Sequence, residues 1–162
     1  MRNVYLPRLA ILAGLLISQP SLAADPVDTV YRLYQAFAWE AVIAGPDYAT
    51  PFIEQPEAVL NQYLTQELTV LLVQDRECVA RTEEICRLDF SPLWMSQDPA
   101  AMGLTIVQAS RPGEVSVSYR FPGSDEKTSM RYRLVEGSEG WRVSDVLYEG
   151  NVSLKALLSG DL

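Results

Sequence analysis

The segment that decides the fold runs from Gly140 to Leu158 and reads Gly-Trp-Arg-Val-Ser-Asp-Val-Leu-Tyr-Glu-Gly-Asn-Val-Ser-Leu-Lys-Ala-Leu-Leu. Its first half alternates polar residues with β-branched and aromatic ones, which predicts a half-buried strand. Gly150 and Asn151 then interrupt the strand, and the apolar residues after them are spaced for a short closing helix. The side chains expected on the inner side of the strand are Trp141, Val143 and Leu147, and strict alternation adds Asp145 to them.

Three more strands are predicted upstream of this segment, so the C-terminal half should form a meander. The clearest is the run from Val115 to Phe121, in which apolar and polar residues alternate with a period of two. Segments rich in Gly, Pro, Ser and acidic residues separate the strands and predict turns. The other two predicted strands span Leu104–Ala109 and Thr128–Leu134.

The N-terminal half is predicted to be helical. Asp25-Pro26 is typical of a helix start, and apolar residues recur at three- and four-residue spacing from Val27 to Ala41, before Gly45-Pro46 ends the helix. A second helix is expected to begin near Pro56, and Thr65 should cap a third. The inward residues predicted for the third helix are Leu68, Leu71, Leu72 and Val79.

These elements predict a single α+β domain over residues 24–162. Its N-terminal helices should pack on one face of a curved antiparallel sheet of about four strands, with a short helix at the C-terminus. The inner face of the sheet needs an apolar cover, and the first helix offers one. The inward residues expected on the sheet are Val117, Tyr119, Met130, Tyr132, Leu134, Trp141 and Val143.

Residues 1–23 have the pattern of a bacterial secretory signal. Arg2 and Arg8 flank the start, an apolar run over residues 9–17 is too short to span a bilayer, and Ser21-Leu22-Ala23-Ala24 supplies small residues for a signal peptidase. The prediction is cleavage near Ala23 and a periplasmic or secreted mature protein, with an uncleaved anchor as the alternative. After cleavage no membrane span is expected.

The predicted mature chain is strongly acidic. It carries 11 Lys and Arg against 21 Asp and Glu, and residues 24–100 account for 13 of the acidic residues but only 4 of the basic ones. Such a charge argues against nucleic acid and anionic membranes as partners. The sequence assigns no metal and no cofactor, and it contains no histidine.

The two cysteines, Cys78 and Cys86, are predicted to form a disulfide, because an isolated pair in an oxidising compartment is most simply bonded. A redox-active pair would favour Cys-x-x-Cys spacing, and a zinc site would lack its usual histidine partners. The charged segment around the pair, from Asp75 to Leu88, is predicted to be a stapled surface excursion.

Several short motifs resemble a family of small bacterial envelope proteins known only as a domain of unknown function (DUF3828), within the nuclear-transport-factor-2-like superfamily. The matching segments are Val30–Tyr34, Tyr63–Leu68, Leu88–Leu93 with Gln97-Asp98, Gly140–Val146 and Ser153–Lys155. The resemblance implies a cone-shaped α+β fold and carries no catalytic signature. Many members resemble lipoproteins, whereas this chain has no cysteine at its predicted cleavage site.

A cone of this kind often holds a pocket between its sheet and helices, where a carboxylate can act as general base or ligand anchor. The candidate carboxylates are Asp89 and Asp145, and the candidate lining residues are Tyr34, Trp94, Tyr119 and Tyr132. The competing interpretation is that Asp145 caps a turn or pairs with an arginine, while the tyrosines are ordinary core residues.

A basic stripe is the second candidate site. Arg120, Arg131, Arg133 and Arg142 occupy predicted outward positions on consecutive strands, where neighbouring side chains lie about 5 Å apart. Together they could receive an acidic partner, or nearby glutamates could neutralise them at little gain in stability.

The acidic, disulfide-closed segment is the third candidate, since a rigid acidic protrusion can occlude a basic or cleft-bearing partner. The sequence therefore favours a non-enzymatic periplasmic or secreted binding protein, an envelope accessory or immunity-type factor that recognises another protein. The alternative is a small-ligand carrier or acid/base enzyme that uses the interior of the cone. An open cavity between sheet and helices would distinguish the two.

Overall fold

The computed structural model describes residues 25–42 and 49–160. The predicted signal over residues 1–23 and the predicted helix end at Gly45-Pro46 lie outside the described residues. The described part contains four α-helices, three short 3-10 turns and one four-stranded sheet. None of the helices in these two ranges is long and apolar enough to cross a membrane.

The first helix, α1, spans Pro26–Phe37 and tightens into a 3-10 turn over Ala38–Ala41. Asp25 caps it as predicted, because its Oδ1 accepts the N–H of Val27 at 3.0 Å. The buried side of α1 repeats every three or four residues and supplies the expected apolar cover. Its buried residues are Thr29, Val30, Leu33, Tyr34 and Phe37.

Two further helices follow, after a 3-10 turn over Phe52–Glu54: α2 spans Glu57–Leu60 and α3 spans Gln66–Thr82. Thr65 caps α3 through a bond from the N–H of Leu68 to its hydroxyl oxygen at 3.3 Å. The helix continues past Asp75 and through Cys78 until Glu83, whose φ of 58° is left-handed. The predicted surface excursion is therefore mostly helix, because a charged segment can remain helical when only one side of it is buried. Val79 lies on the solvent side, contrary to the prediction.

The sheet is an antiparallel meander in the order β1-β2-β3-β4. Its strands span Met102–Gln108, Glu114–Arg120, Lys127–Gly137 and Gly140–Leu147. At the outer side of β4, the N–H of Val143 donates to the carbonyl of Tyr63 and its carbonyl accepts from Thr65, both at 2.8 Å. The chain between α2 and α3 therefore covers that edge of the sheet.

The inner face of the sheet and the buried side of α1 form one core. Val117, Tyr132 and Val143 are fully buried there, and Trp141 packs half-buried against the same cluster. The hydroxyl of Thr29 on α1 also donates to the Trp141 carbonyl at 3.4 Å. The fold is thus α+β, with helices on a curved antiparallel sheet and a short C-terminal helix, as the sequence predicts.

A β-bulge in β4 overturns one detail of the prediction. Arg133 pairs with Asp145, whereas its neighbour Leu134 pairs with Val143, so Ser144 is an extra residue without a partner. Residues 133 and 134 lie on opposite faces of the sheet. Asp145, which pairs with Arg133, therefore lies on the opposite face from Val143, which pairs with Leu134. Leu147, which pairs with the outward residue Arg131, changes sides for the same reason.

The chain ends in a 3-10 turn over Glu149–Asn151 and the helix α4, Leu154–Ser159. Ser153 caps α4, since its hydroxyl accepts the N–H of Ala156 at 3.1 Å. Leu154 and Leu158 are the buried residues of α4 and join the main core. The predicted closing helix is therefore confirmed.

Candidate functional site

The four aromatic residues predicted to line an interior pocket lie together, but they fill the space. Tyr34, Trp94, Tyr119 and Tyr132 are each at most 1% exposed. The ring centroids of Tyr34 and Trp94 are 5.1 Å apart and those of Trp94 and Tyr119 are 5.4 Å apart, both edge to face. Neither of the two cavities described below is lined by these rings.

The tyrosine hydroxyls hold one turn of the chain in place. Tyr148, Tyr34 and Tyr119 donate to the successive carbonyls of Pro92, Leu93 and Trp94. Burial raises the pKa of all three phenols, that of Tyr119 to about 12, so they remain neutral donors at physiological pH. The fourth tyrosine, Tyr132, has its hydroxyl 2.8 Å from that of Tyr34 and also has a raised pKa because it is buried. The hydroxyls of Tyr34, Tyr119 and Tyr148 are therefore structural donors to the turn, and that of Tyr132 bonds with Tyr34.

Asp145 lies on the other face of the sheet, where it supports the C-terminal helix. Its Oδ1 accepts the backbone N–H groups of Val146 and Lys155 at 2.9 and 3.0 Å. The hydroxyl of Ser153 lies 3.0 and 2.9 Å from its two oxygens, and Arg133 Nη1 is 4.0 Å from Oδ2. The carboxylate thus tethers the start of α4 to β4, and the bulge at Ser144 separates it from the interior.

Asp89, the other candidate carboxylate, lies exposed at the rim of the fold. Its Oδ2 accepts a bond from Gln97 Nε2 at 3.0 Å. It borders an open groove of about 1050 Å³ that is formed by four separate segments. These segments are 39–42 after α1, 51–54 before α2, 85–91 at the end of the disulfide loop and 97–100 before β1.

The groove combines apolar walls with carboxylates. Val42 and Ile85 are its most exposed apolar residues, at 73% and 70%. No lysine or arginine occurs among the described residues that line it. Its acidic residues are Glu40, Glu54, Asp89 and Asp98.

Glu40 is the partly buried carboxylate of the groove. Its Oε1 accepts the N–H of Phe52 at 2.6 Å and its Oε2 accepts the hydroxyl of Ser91 at 3.0 Å. Burial raises the pKa of Glu40, while these two donors and the nearby Trp94 indole partly oppose the shift. Trp94 Nε1 is buried without a hydrogen bond of good geometry in the described part of the chain. None of the described lysines and arginines forms an ion pair with Glu40.

Two of the four predicted stripe arginines converge on one buried acid. Arg133 Nε lies 3.4 Å from Glu114 Oε1 and Arg131 Nε lies 3.9 Å from Oε2. Arg111, which the sequence does not single out, approaches the same Oε1 at 3.9 Å. A polar cavity of about 290 Å³ beside Arg111 and Arg131 includes Glu114 in its wall. Glu114, together with Asp145 at 4.0 Å from Arg133, therefore offsets two of the three positive charges of this cluster.

The other two stripe arginines lie apart from this cluster. Arg142 donates through Nε to the Asn61 carbonyl at 2.9 Å and pairs with Glu139 at 3.5 Å, which ties the edge of β4 to the end of α2. Arg120 lies at the far end of β2, where it is paired with Lys127 and Met102 in the sheet register. The single continuous patch predicted from the alternation is not formed, because Arg142 is held at the covered edge.

The predicted disulfide between Cys78 and Cys86 is present. The segment that it closes is less acidic at its surface than the sequence suggests, because Asp75 is only 5% exposed. Its two oxygens accept the N–H groups of Arg87 and Leu88 at 2.8 and 3.3 Å. The disulfide and Asp75 together fix the loop that places Ile85 in the wall of the groove.

The sequence interpretation missed Glu40 and Ile85, although each leaves a signal. Glu40 follows Phe37 by three residues and Leu33 by seven, which places a carboxylate on the buried side of a helical repeat. Ile85 is an isolated large apolar residue within a charged loop. The sequence does not indicate that Glu40 and Ile85 line the same groove, because this depends on how four distant segments pack.

Within residues 25–42 and 49–160, no group of three or more histidine, cysteine, aspartate or glutamate side chains is arranged to hold a metal ion. Comparison of the chain with protein-family models, curated proteins and solved structures finds no match in any of the three. The role of each residue is therefore inferred from its own geometry and chemistry.

Proposed function

We propose that this chain is an exported, non-enzymatic binding protein that recognises a basic and apolar segment of another protein through the groove beside the disulfide loop. The observation that carries the proposal is the lining of the groove, which joins exposed Val42 and Ile85 to four carboxylates without a lysine or arginine among its described residues. A partner segment with a large apolar side chain next to a lysine or arginine complements both features.

The alternative, a small-ligand carrier or acid/base enzyme, depends on space between the sheet and the helices. Four aromatic rings occupy that region, and the three tyrosines among them have their hydroxyls bonded internally, which favours a binding surface at the rim. Asp145 supports α4, so it is not placed to act with Asp89 on one ligand. The role of an envelope accessory or immunity-type factor accords with the predicted export signal, the disulfide and the family resemblance.

A peptide-display selection tests the proposal directly. The folded chain is immobilised, a library of random peptides is selected on it, and the enriched peptides are titrated by calorimetry against wild type and variants. We expect enriched sequences that combine lysine or arginine with large apolar residues. Ile85→Ser and Val42→Ser should each weaken binding at least tenfold without changing the circular dichroism spectrum, since both side chains are already in solvent.

Val135→Ser is the matched control. Val135 is also a large apolar residue in solvent, 49% exposed, but it lies on β3 outside the lining of the groove. Its replacement should leave peptide affinity unchanged. Enrichment of acidic peptides, or an equal loss of affinity in Val135→Ser and Ile85→Ser, would contradict the proposal.

A further inference from the structure

The two edges of the sheet differ in whether a described segment of the chain pairs with them. The outer side of β4 is bonded to the chain between α2 and α3 through Tyr63 and Thr65. At the other edge, no described segment pairs with the outer side of β1. Within residues 25–42 and 49–160, its backbone groups on that side have no strand partner and could pair with a further strand.

The sequence of β1 does not protect this edge. Met102–Gln108 contains no charged residue and no proline, the two devices that most often prevent a strand from pairing with another chain. Met102 is 58% exposed and Val107 is 49% exposed. The one protective feature is a bulge beside Gly103, whose φ is +65°, and it leaves the run from Thr105 to Gln108 in regular register with β2.

The hydrogen-bond pattern shows which residues of β1 face outward. Ala109 donates to the carbonyl of Glu114 at 2.9 Å, so residues 109 and 114 are a bonded pair next to the ladder of β1 and β2. Bonded and non-bonded positions alternate in an antiparallel ladder. Ile106 and Gln108 therefore direct their N–H and C=O groups away from β2, whereas Thr105 directs its own toward β2.

We propose that β1 pairs antiparallel with β1 of a second copy of this chain, about a two-fold axis at Thr105. In this register Leu104 of each copy, the last residue of the bulged segment, lies opposite Ile106 of the other. Ile106 pairs with the core residue Val117 and already packs on the core, so the apolar inner face continues across the axis. Two four-stranded sheets then form one eight-stranded sheet.

The charges at the two ends of β1 favour a second copy in this antiparallel direction. Asp98 precedes the strand and Arg111 follows it; the side chain of Arg111 is 72% exposed, with its Nη1 3.9 Å from Glu114. Antiparallel pairing brings the basic end of one copy to the acidic end of the other, twice by symmetry. An isologous pairing of this kind closes on itself, so it yields a dimer rather than a fibre.

Cross-linking and sedimentation test the dimer. The chain contains only Cys78 and Cys86, which are bonded to each other, so Thr105→Cys introduces the single free thiol. Directly opposed residues at a non-bonded pair are near enough to form a disulfide. We expect mild oxidation to convert Thr105→Cys into a covalent dimer and to leave Val135→Cys monomeric.

Sedimentation equilibrium of the wild type, over roughly 1 μM to 1 mM protein, should show the average mass rising from one chain towards two. Thr105→Lys places two ammonium groups face to face at the axis and should raise the dissociation constant at least tenfold, while Val135→Lys should not. Circular dichroism verifies that both variants are folded. A wild type that stays monomeric throughout this range, or equal cross-linking of Thr105→Cys and Val135→Cys, would overturn the proposal.

Discussion

Asp145 is a buried carboxylate and Glu40 a partly buried one; both accept hydrogen bonds, yet they differ in what surrounds them. Asp145 binds two backbone N–H groups and the Ser153 hydroxyl at the start of α4, with Arg133 nearby. Glu40 has two donors, no described lysine or arginine in ion-pair contact, and the open groove beside it. Asp145 therefore holds the fold together, whereas Glu40 remains open to a ligand.

The largest effect should come from removing Asp145. Asp145→Ala leaves the N–H groups of Val146 and Lys155 without their acceptor and detaches α4 from β4, so we expect a loss of about 2–4 kcal/mol in the free energy of unfolding. Urea denaturation measures it. Asp145→Asn retains one acceptor oxygen and should lose less.

Asp28→Ala is the control for this experiment, because Asp28 is an exposed acid in the first turn of α1 and should change stability by less than about 0.5 kcal/mol. A loss in Asp145→Ala no greater than that in Asp28→Ala would contradict the structural role. Asp145 would then resemble Glu40, as a carboxylate that is not required for the stability of the fold.

A smaller loss is expected at Asp75, which accepts two backbone N–H groups as Asp145 does but has neither a serine hydroxyl nor an arginine side chain in contact with it among the described residues. Asp75→Asn turns one acceptor into a donor that faces the N–H of Arg87 or Leu88, and should reduce stability by about 1–2 kcal/mol. Hydrogen exchange should accelerate at these two amides, because the loop beyond the staple loses its anchor.

Glu77→Gln, an exposed neighbour on the same helix, should leave those exchange rates unchanged. If the Arg87 and Leu88 amides remained equally protected in Asp75→Asn, the disulfide alone would be sufficient to hold the loop. The position of Ile85 in the groove would then depend on the staple and not on Asp75.

The meander and the helix caps could be predicted because they depend on local patterns. The alternation from Val115 to Phe121 identifies β2, and Asp25 and Thr65 cap the helices that follow them. The bulge at Ser144 could not be predicted, since nothing in the neighbouring sequence indicates that β4 contains one more residue than β3 at this point. That single residue places Asp145 on the other face of the sheet, while aromatic rings fill the interior that it was predicted to line.

The groove was beyond prediction for a different reason. It is assembled from four segments that are far apart in the chain, and only their packing brings Glu40, Asp89 and Ile85 to one place. The charged loop could be recognised as closed by a disulfide, but not that Asp75 within it is buried and accepts the N–H groups of Arg87 and Leu88. Hydrophobic patterns with a period of two or 3.6 residues identify single strands and helices. They do not predict which distant segments contact each other in the fold.

The smallest effect on stability is expected at Glu40, and its sign is opposite to that at Asp145. Burial raises the pKa of Glu40 above its usual value of 4.5, so the folded state holds this proton more tightly than the unfolded state does. The associated stability is present below pH 4.5 and is lost as the pH rises through the raised pKa. Glu40→Gln keeps an acceptor for Phe52 or Ser91 and avoids the charge, so at pH 7 it should be as stable as the wild type or slightly more stable.

Thermal unfolding of wild type and Glu40→Gln between pH 3 and 8 measures this difference, which should grow with pH and vanish in acid. Glu54→Gln, which replaces an exposed acid of the same groove, should follow the wild type throughout. A variant that is less stable than the wild type at pH 7, by as much as Asp145→Asn, would place Glu40 among the carboxylates that hold the fold. A neutral or stabilising result, together with weaker binding of basic peptides, identifies the charge of Glu40 as one that the protein retains for recognition at the expense of its own stability.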